Sequence, residues 1–205
     1  MTEAVPLVEA LDLACLRGGR LVLEAVAFAL ASGDALLLRG PNGSGKSTLL
    51  RLLAGFLRPT LGEVRIGGVP LDRLPEGPGS RLHYVGHLNA VKPLLTVEEN
   101  LNAAIGLAGG GDAGPGLGAL DLVPLKATPA RFLSAGQKRR LALARLAAIP
   151  RPLWLLDEPG VGLDRRSRKG LEALIRAHRR GGGAVVAATH GDVRLDDAYA
   201  LDLDG

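Results

Sequence analysis

Residues 40–47 read Gly40-Pro41-Asn42-Gly43-Ser44-Gly45-Lys46-Ser47, which satisfies the spacing G-x-x-x-x-G-K-S of a phosphate-binding loop. The apolar run Ala35–Arg39 precedes this loop, and leucines at 49, 50, 52 and 53 follow it with helical spacing. Glycines let successive backbone N–H groups turn toward phosphate oxygens, and a helix N-terminus adds a partial positive charge. An ordinary glycine-rich turn would leave the Lys-Ser pair unexplained. We therefore predict a strand, a loop and a helix that bind the phosphates of a nucleotide.

The side chains of the loop have separate predicted roles. We expect Lys46 to reach the β- and γ-phosphates and the Ser47 hydroxyl to ligate Mg²⁺. The predicted nucleotide-binding residues of this segment are Gly40, Pro41, Asn42, Gly43, Ser44, Gly45, Lys46, Ser47 and Thr48.

Two carboxylates follow an apolar strand further along the chain. Asp157 and Glu158 come directly after Leu153–Leu156, a run typical of a strand buried in a parallel sheet. The carboxyl ends of such strands face the ligand crevice. We predict that Asp157 holds Mg²⁺, directly or through water, and that Glu158 polarises the hydrolytic water.

Strand and helix patterns alternate around the loop, which predicts an α/β domain with a mostly parallel sheet. The first thirty residues alternate as two strands around a turn at 17–20. Further strands are predicted over Gly62–Gly68, Leu82–Gly86 and Ala184–Thr189, and helices from Thr96, from Ser134, and from Asp164 to about Arg180. The glycine-rich stretch Gly106–Gly118 predicts a loop or a loosely ordered linker.

Length and composition exclude several classes of protein. A chain of 205 residues fits one domain, 1–205, and its single cysteine, Cys15, excludes an internal disulfide and a cysteine-based zinc or iron–sulfur site. No run approaches the roughly 18 uncharged apolar residues of a membrane span, and the N-terminus lacks the basic start of a signal peptide. We expect a soluble chain inside the cell.

The charge balance is basic, with 25 Lys and Arg against 21 Asp and Glu. Such a balance can indicate attraction to nucleic acid or to an anionic membrane surface. Aromatic residues make up only 3% of the chain, which argues against a stacking platform for single strands. We favour an arginine-rich composition without specific function and predict no nucleic-acid partner.

Three more motifs resemble those of the ATP-binding cassette (ABC) ATPases. Leu133-Ser134-Ala135-Gly136-Gln137 is similar to the family signature, Gly162-Leu163-Asp164 to its D-loop, and His190 to its switch histidine. The motifs occur in the family order over nearly the whole chain. The resemblance implies a phosphate-loop cassette with a mostly parallel core sheet, an N-terminal antiparallel β subdomain and a small helical subdomain, at about 88–133, inserted in a RecA-like core.

The resemblance also implies a shared active site. In this family the signature residues, here Ser134, Ala135, Gly136 and Gln137, bind the γ-phosphate of ATP held by the opposite subunit, so ATP joins two cassettes and hydrolysis releases them. It further implies Glu158 and His190 as catalytic residues, Asp164 as the D-loop aspartate, and ATP with Mg²⁺ as the ligands.

Two positions depart from the usual family pattern. His87 stands where a glutamine begins the loop after a strand, and Arg17 stands where an aromatic residue stacks on adenine. With the segments Cys15–Arg17, Gly40–Gly43, Tyr84–His87 and Leu133–Leu146, these departures resemble one subgroup, the ATP-binding export subunits of cytochrome c biogenesis.

That subgroup implies integral membrane partners of the cytochrome c maturation system and a peripheral position on the cytoplasmic face of the bacterial inner membrane. There, ATP hydrolysis would drive haem export or the release of a haem-loaded chaperone. We expect no direct haem binding, since His83 is predicted to be a hydrogen-bonded strand residue and His178 a solvated helix residue.

Two other functions stay open at this point. The chain could be the cassette of another bacterial transporter, or a non-transport cassette ATPase of DNA repair or cofactor assembly. The sequence contains no heptad run of the kind that forms the long coiled coils of repair cassettes. An assembly ATPase would be expected to stay with soluble partners.

Overall fold

The computed structural model describes residues 5–189 and 191–203, and its strands form two sheets. The strands are β1 (Val8–Arg17), β2 (Arg20–Leu30), β3 (Ala35–Arg39), β4 (Leu61–Ile66), β5 (Val69–Pro70), β6 (Leu82–Val85), β7 (Leu153–Asp157), β8 (Ala184–Ala188) and β9 (Tyr199–Asp202). The α-helices are α1 (Lys46–Leu53), α2 (Val97–Ala108), α3 (Ala113–Ala119), α4 (Ala135–Ala148) and α5 (Arg165–Arg180). Short 3₁₀ turns lie at Leu71–Arg73, Pro78–Ser80, Val123–Leu125 and Ala130–Phe132.

The core sheet has the strand order β6-β7-β8-β3-β9, and every neighbouring pair in it is parallel. The other sheet, β2-β1-β4-β5, is antiparallel. Because all core strands run the same way, the loops after β3, β6, β7 and β8 emerge at one edge of the sheet. The phosphate loop and the Asp157-Glu158 pair therefore lie at this edge.

Alternation along β7 shows how the core sheet is covered on both faces. Leu153 and Leu155 belong to a buried cluster that includes leucines of α1 and the antiparallel sheet. Trp154 and Leu156 belong to a second cluster, formed with residues of α2, α3, α4 and α5. Successive strand side chains point to opposite faces, so a strand covered on both sides is apolar throughout.

The predicted α/β fold, with its parallel core sheet, N-terminal antiparallel sheet and helical region, is confirmed. The capping boxes at Thr96 and Ser134 begin α2 and α4, and Asp164 caps α5. The strand β9 was missed: it has only four residues, and three of them are exposed, so it lacks the long apolar run of a buried strand.

The prediction of a loop at Gly106–Gly118 was wrong. Helix α2 continues to Ala108, and α3 begins at Ala113, where the Asp112 carboxylate accepts a hydrogen bond from the Gly114 N–H at 2.9 Å. A Cβ on Gly116 would overlap the carbonyl oxygen of Ala144 on α4. Glycine at this position permits close packing of α3 against α4. From the sequence alone, the high glycine content of the segment was interpreted as a sign of a loop.

The prediction for His178 was also wrong. Its ring stacks on Trp154 with centroids 3.8 Å apart, and burial lowers its pKa. The prediction for His83 is confirmed, since its Nε2 lies 2.8 Å from the carbonyl oxygen of Ile149 and burial lowers its pKa to about 4.

Candidate nucleotide-binding site

The start of α1 is open to a ligand. Its N-cap residue, Gly45, has φ +98° and, among the described residues, no side chain caps the helix. A Cβ on Gly45 would lie 3.0 Å from the Val22 carbonyl oxygen on β2, so both the backbone angle and the neighbouring strand favour glycine here. The uncapped backbone N–H groups of the first turn are thus available to an anion.

A cavity of about 180 Å³ lies at this helix end. It brings the phosphate loop together with the two carboxylates at the end of β7, as its lining residues are Asn42, Gly43, Gly45, Lys46, Ser47, Thr48, Asp157 and Glu158. Gly40, Pro41 and Ser44 do not line it. Ser44 is buried, and the carbonyl groups of Gly40 and Pro41 accept hydrogen bonds from Lys46 Nζ at 2.7 and 2.8 Å.

The pair Ser47 and Asp157 has the chemistry of a magnesium site. Ser47 Oγ donates a hydrogen bond to Asp157 Oδ1 at 3.1 Å. Asp157 is buried, and its other oxygen, Oδ2, accepts no hydrogen bond from the described residues. A buried carboxylate oxygen of this kind suits a cation. Among the described residues, no group of three or more His, Cys, Asp or Glu side chains is arranged to hold a metal ion.

Glu158 has a strained backbone. Its φ is +48°, in the left-handed region that residues other than glycine seldom adopt, and its N–H donates to the Ala188 carbonyl at 2.9 Å. Strained residues persist where surrounding contacts over-determine them, and they cluster at functional sites.

His87 approaches the same carboxylate from the loop after β6. Its Nε2 lies 3.7 Å from Asp157 Oδ2, and its side chain is 54% exposed. His87, which stands where the family usually has glutamine, therefore faces Asp157, the predicted metal ligand. The exposed side of its ring leaves room for a bound molecule.

Sequence reasoning missed Arg139. This α4 residue is only 5% exposed, and its guanidinium donates to the carbonyl groups of Gly86, Asp157, Glu158 and Pro159 and to Asn89 Oδ1. Burial lowers its pKa, while the carboxylates of Asp157, Asp192 and Glu158 act in the opposite direction. The basic run Lys138–Arg140 has the appearance of a solvated helix face in the sequence, so no local pattern marks this residue.

The predicted signature residues line a separate cavity of about 410 Å³. Its lining residues are Ser134, Gly136, Gln137, Arg140, Gly162, Leu163, Asp164 and Ser167, so the signature and D-loop segments meet, while Ala135 is not among them. Ser134 Oγ accepts from the Gln137 N–H at 3.2 Å, and the Ser134 N–H donates to Gln137 Oε1 at 2.7 Å. Asp164 accepts from the Ser167 N–H at 2.7 Å, and hydrogen bonds to Ser167 lower its pKa.

Two predicted residues remain outside these cavities. Arg17 is exposed at the end of β1, paired with Arg20 across a tight turn, and the adjoining Val22 and Leu23 pack against Gly45. His190 lies outside the described residues; the preceding strand β8 pairs with β7 so that Ala188 is opposite Asp157.

Known proteins are similar to this chain over most of its length. A family model described as ABC transporter matches residues 23–161. The chain is 54% identical over 195 residues to the cytochrome c biogenesis ATP-binding export protein CcmA of Rhodospirillum rubrum, covering 94% of this chain and 84% of the relative. It is 48% identical to the protein of the same name from Paramagnetospirillum magneticum, covering 94% and 92%.

Solved structures of this kind share the fold. The ATP-binding subunit of an ABC transporter superposes with a TM-score of 0.82 at 28% identity, covering 90% of this chain and 80% of the other. An ABC transporter ATP-binding protein from Pyrococcus furiosus gives 0.81 at 26% identity, covering 96% of each chain. Among the described helices, none combines the length and apolar character needed to cross a bilayer.

Proposed function

The chain belongs to the ABC transporter family, and from that premise we propose that it is the ATP-hydrolysing subunit of a membrane transporter complex for cytochrome c maturation. The observation that carries the ATPase part is the contact between Ser47 and the buried Asp157 carboxylate beside an uncapped helix end. The names of relatives 54% and 48% identical support the cytochrome c part.

The phosphate loop provides the binding of ATP. Lys46 exchanges its bonds to the Gly40 and Pro41 carbonyls for bonds to the β- and γ-phosphates, so its position is prepared before the nucleotide arrives. Ser47 and Asp157 would hold Mg²⁺, and the bound ion would neutralise charge on the phosphate oxygens. Arg17, at the exposed end of the β1–β2 hairpin, lies against the adenine in place of an aromatic ring.

Glu158 orients and polarises the attacking water, and His190 and His87 complete the site around the γ-phosphate. Asp157 ends β7 and Glu158 follows it, and both line the cavity, so the Glu158 carboxylate would be placed to polarise a water next to the terminal phosphate. His87, whose Nε2 lies 3.7 Å from Asp157 Oδ2, would offer a ring nitrogen to the metal or to the water.

The second cavity completes the active site of another copy. Ser134, Gly136 and Gln137 present a helix N-terminus to the γ-phosphate bound by the partner, and Asp164 lies beside them. Two copies bound to ATP therefore close on each other, and hydrolysis separates them. This cycle of association and separation provides a movement that can drive conformational changes in the membrane subunits.

We place the complex on the cytoplasmic face of the bacterial inner membrane, with this chain as a peripheral subunit on integral membrane partners. Hydrolysis drives haem export or release of the haem-loaded chaperone. This proposal gives the chain no role in binding haem or nucleic acid, and His83 and His178 are both occupied by internal contacts rather than available as haem ligands.

A complementation experiment tests the proposal. A bacterium lacking its cytochrome c maturation ATPase receives the wild-type chain or Lys46→Ala, and c-type cytochromes are measured by haem staining while the chain is traced in membrane fractions. We expect restored cytochromes and membrane recovery with the wild type only. Purified wild type that hydrolyses ATP but restores nothing would favour a cassette of another transporter. Recovery with soluble partners would favour an assembly ATPase.

A further inference from the structure

We propose that Arg139 is a positioning residue that fixes the Glu158 carboxylate and makes its placement depend on helix α4. The inference rests on the proposed ATPase function, since Glu158 is its hydrolytic group. Arg139 does not line the nucleotide cavity. It acts through the backbone of the residues that do.

The guanidinium holds three consecutive peptide carbonyls. Nη2 donates to Asp157 O at 3.3 Å and to Glu158 O at 2.8 Å, and Nε donates to Pro159 O at 3.3 Å. A planar group with five donors in a fixed fork can satisfy such a set, whereas a lysine ammonium is a single point of charge. The chain on both sides of the Glu158 Cα is therefore fixed by one side chain.

This fixing matters because Glu158 is in a strained conformation. With φ at +48°, the residue is held on one side by its N–H bond to Ala188 and on the other by its carbonyl bond to Arg139. The direction of a side chain follows from the backbone angles at its Cα. Loss of the guanidinium would let Glu158 relax toward an ordinary conformation and turn the carboxylate away from the water.

The same side chain joins the site to two other segments. Its Nη1 donates to Gly86 O at 2.6 Å, at the end of β6, and to Asn89 Oδ1 at 3.4 Å, so it brackets the loop that carries His87. Arg139 also lies in α4, five residues after Ser134, the residue that begins this helix. A displacement of α4 by a ligand at Ser134 would therefore be transmitted to the backbone of Glu158.

Arg151 offers a matched control. It also donates to three carbonyls, those of Gly79 at 2.7 Å, Pro150 at 3.0 Å and Ala108 at 2.9 Å. It precedes β7, at the opposite end of the strand from Glu158. Removing it breaks three hydrogen bonds to carbonyl groups, against five hydrogen bonds for Arg139, without touching the nucleotide edge of the sheet.

The experiment compares Arg139→Met, Arg139→Lys and Arg151→Met with the wild type. The measurements are kcat and KM for ATP hydrolysis, Kd for a fluorescent ATP analogue, and Tm. We expect kcat to fall about 10²-fold in Arg139→Met, the scale of a small misplacement of a catalytic group, with KM and Kd nearly unchanged. Arg139→Lys should also lower kcat, while its Tm should stay close to that of the wild type. Arg151→Met should lower Tm but leave kcat at the wild-type value.

A double variant separates positioning from general loosening. In a Glu158→Gln background, Arg139→Lys should cause no further fall in the residual rate, because the group that Arg139 positions is already gone. A normal kcat in Arg139→Lys, or a full additional loss in the double variant, would overturn the proposal. If Arg139→Met does not fold, the kcat of Arg139→Lys alone tests the proposal. A wild-type chain without ATPase activity would instead refute the proposed function itself.

Discussion

The N-termini of α1 and α4 differ in how their backbone donors are satisfied. Helix α1 begins at Gly45 with no side-chain cap among the described residues, whereas α4 begins with a capping box in which Ser134 and Gln137 bond to each other reciprocally. An uncapped end retains orphan donors for an anion. A capped end is stable by itself in solvent and must exchange a capping bond for one to a phosphate.

The cavities at these two helix ends also differ in the chemical groups that line them. The cavity at α1 contains Lys46 and both carboxylates, so every group predicted for metal binding and water activation there belongs to one copy. The larger cavity at α4 contains Arg140 and the helix end, which can receive an anion, and the carboxylate among its lining residues, Asp164, is engaged as the cap of α5. This difference supports a site in which the first cavity performs chemistry and the second senses its ligand.

The largest expected effect comes from removing the chemistry at the first cavity alone. Glu158→Gln keeps the shape of the side chain but removes the charge that polarises water, so kcat should fall by roughly 10²–10⁴-fold while ATP binding persists. ATP should then hold two copies together, which light scattering would detect. ATP hydrolysis by this variant at the wild-type rate would exclude Glu158 as the base.

A mixing experiment tests whether the two cavities meet across copies. Lys46→Ala destroys the first cavity, and Ser134→Arg blocks the second, so each variant alone should be nearly inactive. An equimolar mixture should recover activity, because a mixed pair contains one intact composite site out of two. The ATPase rate is measured over a range of mixing ratios, with each variant alone as the control. Full activity in a strictly monomeric wild-type preparation would contradict the shared site.

Most of the α1 cavity could be predicted because its signals are local. The phosphate loop, the Asp157-Glu158 pair and the helix caps are defined by residues within a few positions of each other. The fold class followed from the alternation of such segments. Their assembly at one sheet edge follows from the parallel strand order, which is a general property of the topology.

The features that sequence reasoning missed depend on distant contacts. Arg139 bonds to residues 18 to 53 positions away, and the His178 ring stacks on Trp154 from another element. The reason for a glycine at position 116 is visible only from its contact with the Ala144 carbonyl on another helix, which leaves no space for a side chain. In each case the deciding partner is remote in the chain, so composition and periodicity around the residue carry no signal.

The smallest expected effect separates capping from ligand sensing, and it uses the two capping boxes of the chain. In α2, Thr96 Oγ1 accepts from the Glu99 N–H at 3.2 Å, and the Thr96 N–H donates to Glu99 Oε2 at 2.7 Å. The Ser134 box has the same two distances. Thr96→Ala and Ser134→Ala should therefore each lower the free energy of unfolding by about 1 kcal/mol.

The two alanine variants should differ only when ATP is present. Because the Thr96 box lies outside both cavities, Thr96→Ala should leave ATP-dependent association unchanged, whereas Ser134→Ala removes a hydroxyl that we propose to face the partner's phosphate. Association is measured by light scattering in a Glu158→Gln background, and stability by denaturant unfolding. Equal association in both variants would mean that Ser134 caps its helix and nothing more, because a loss of stability alone would weaken the two variants alike.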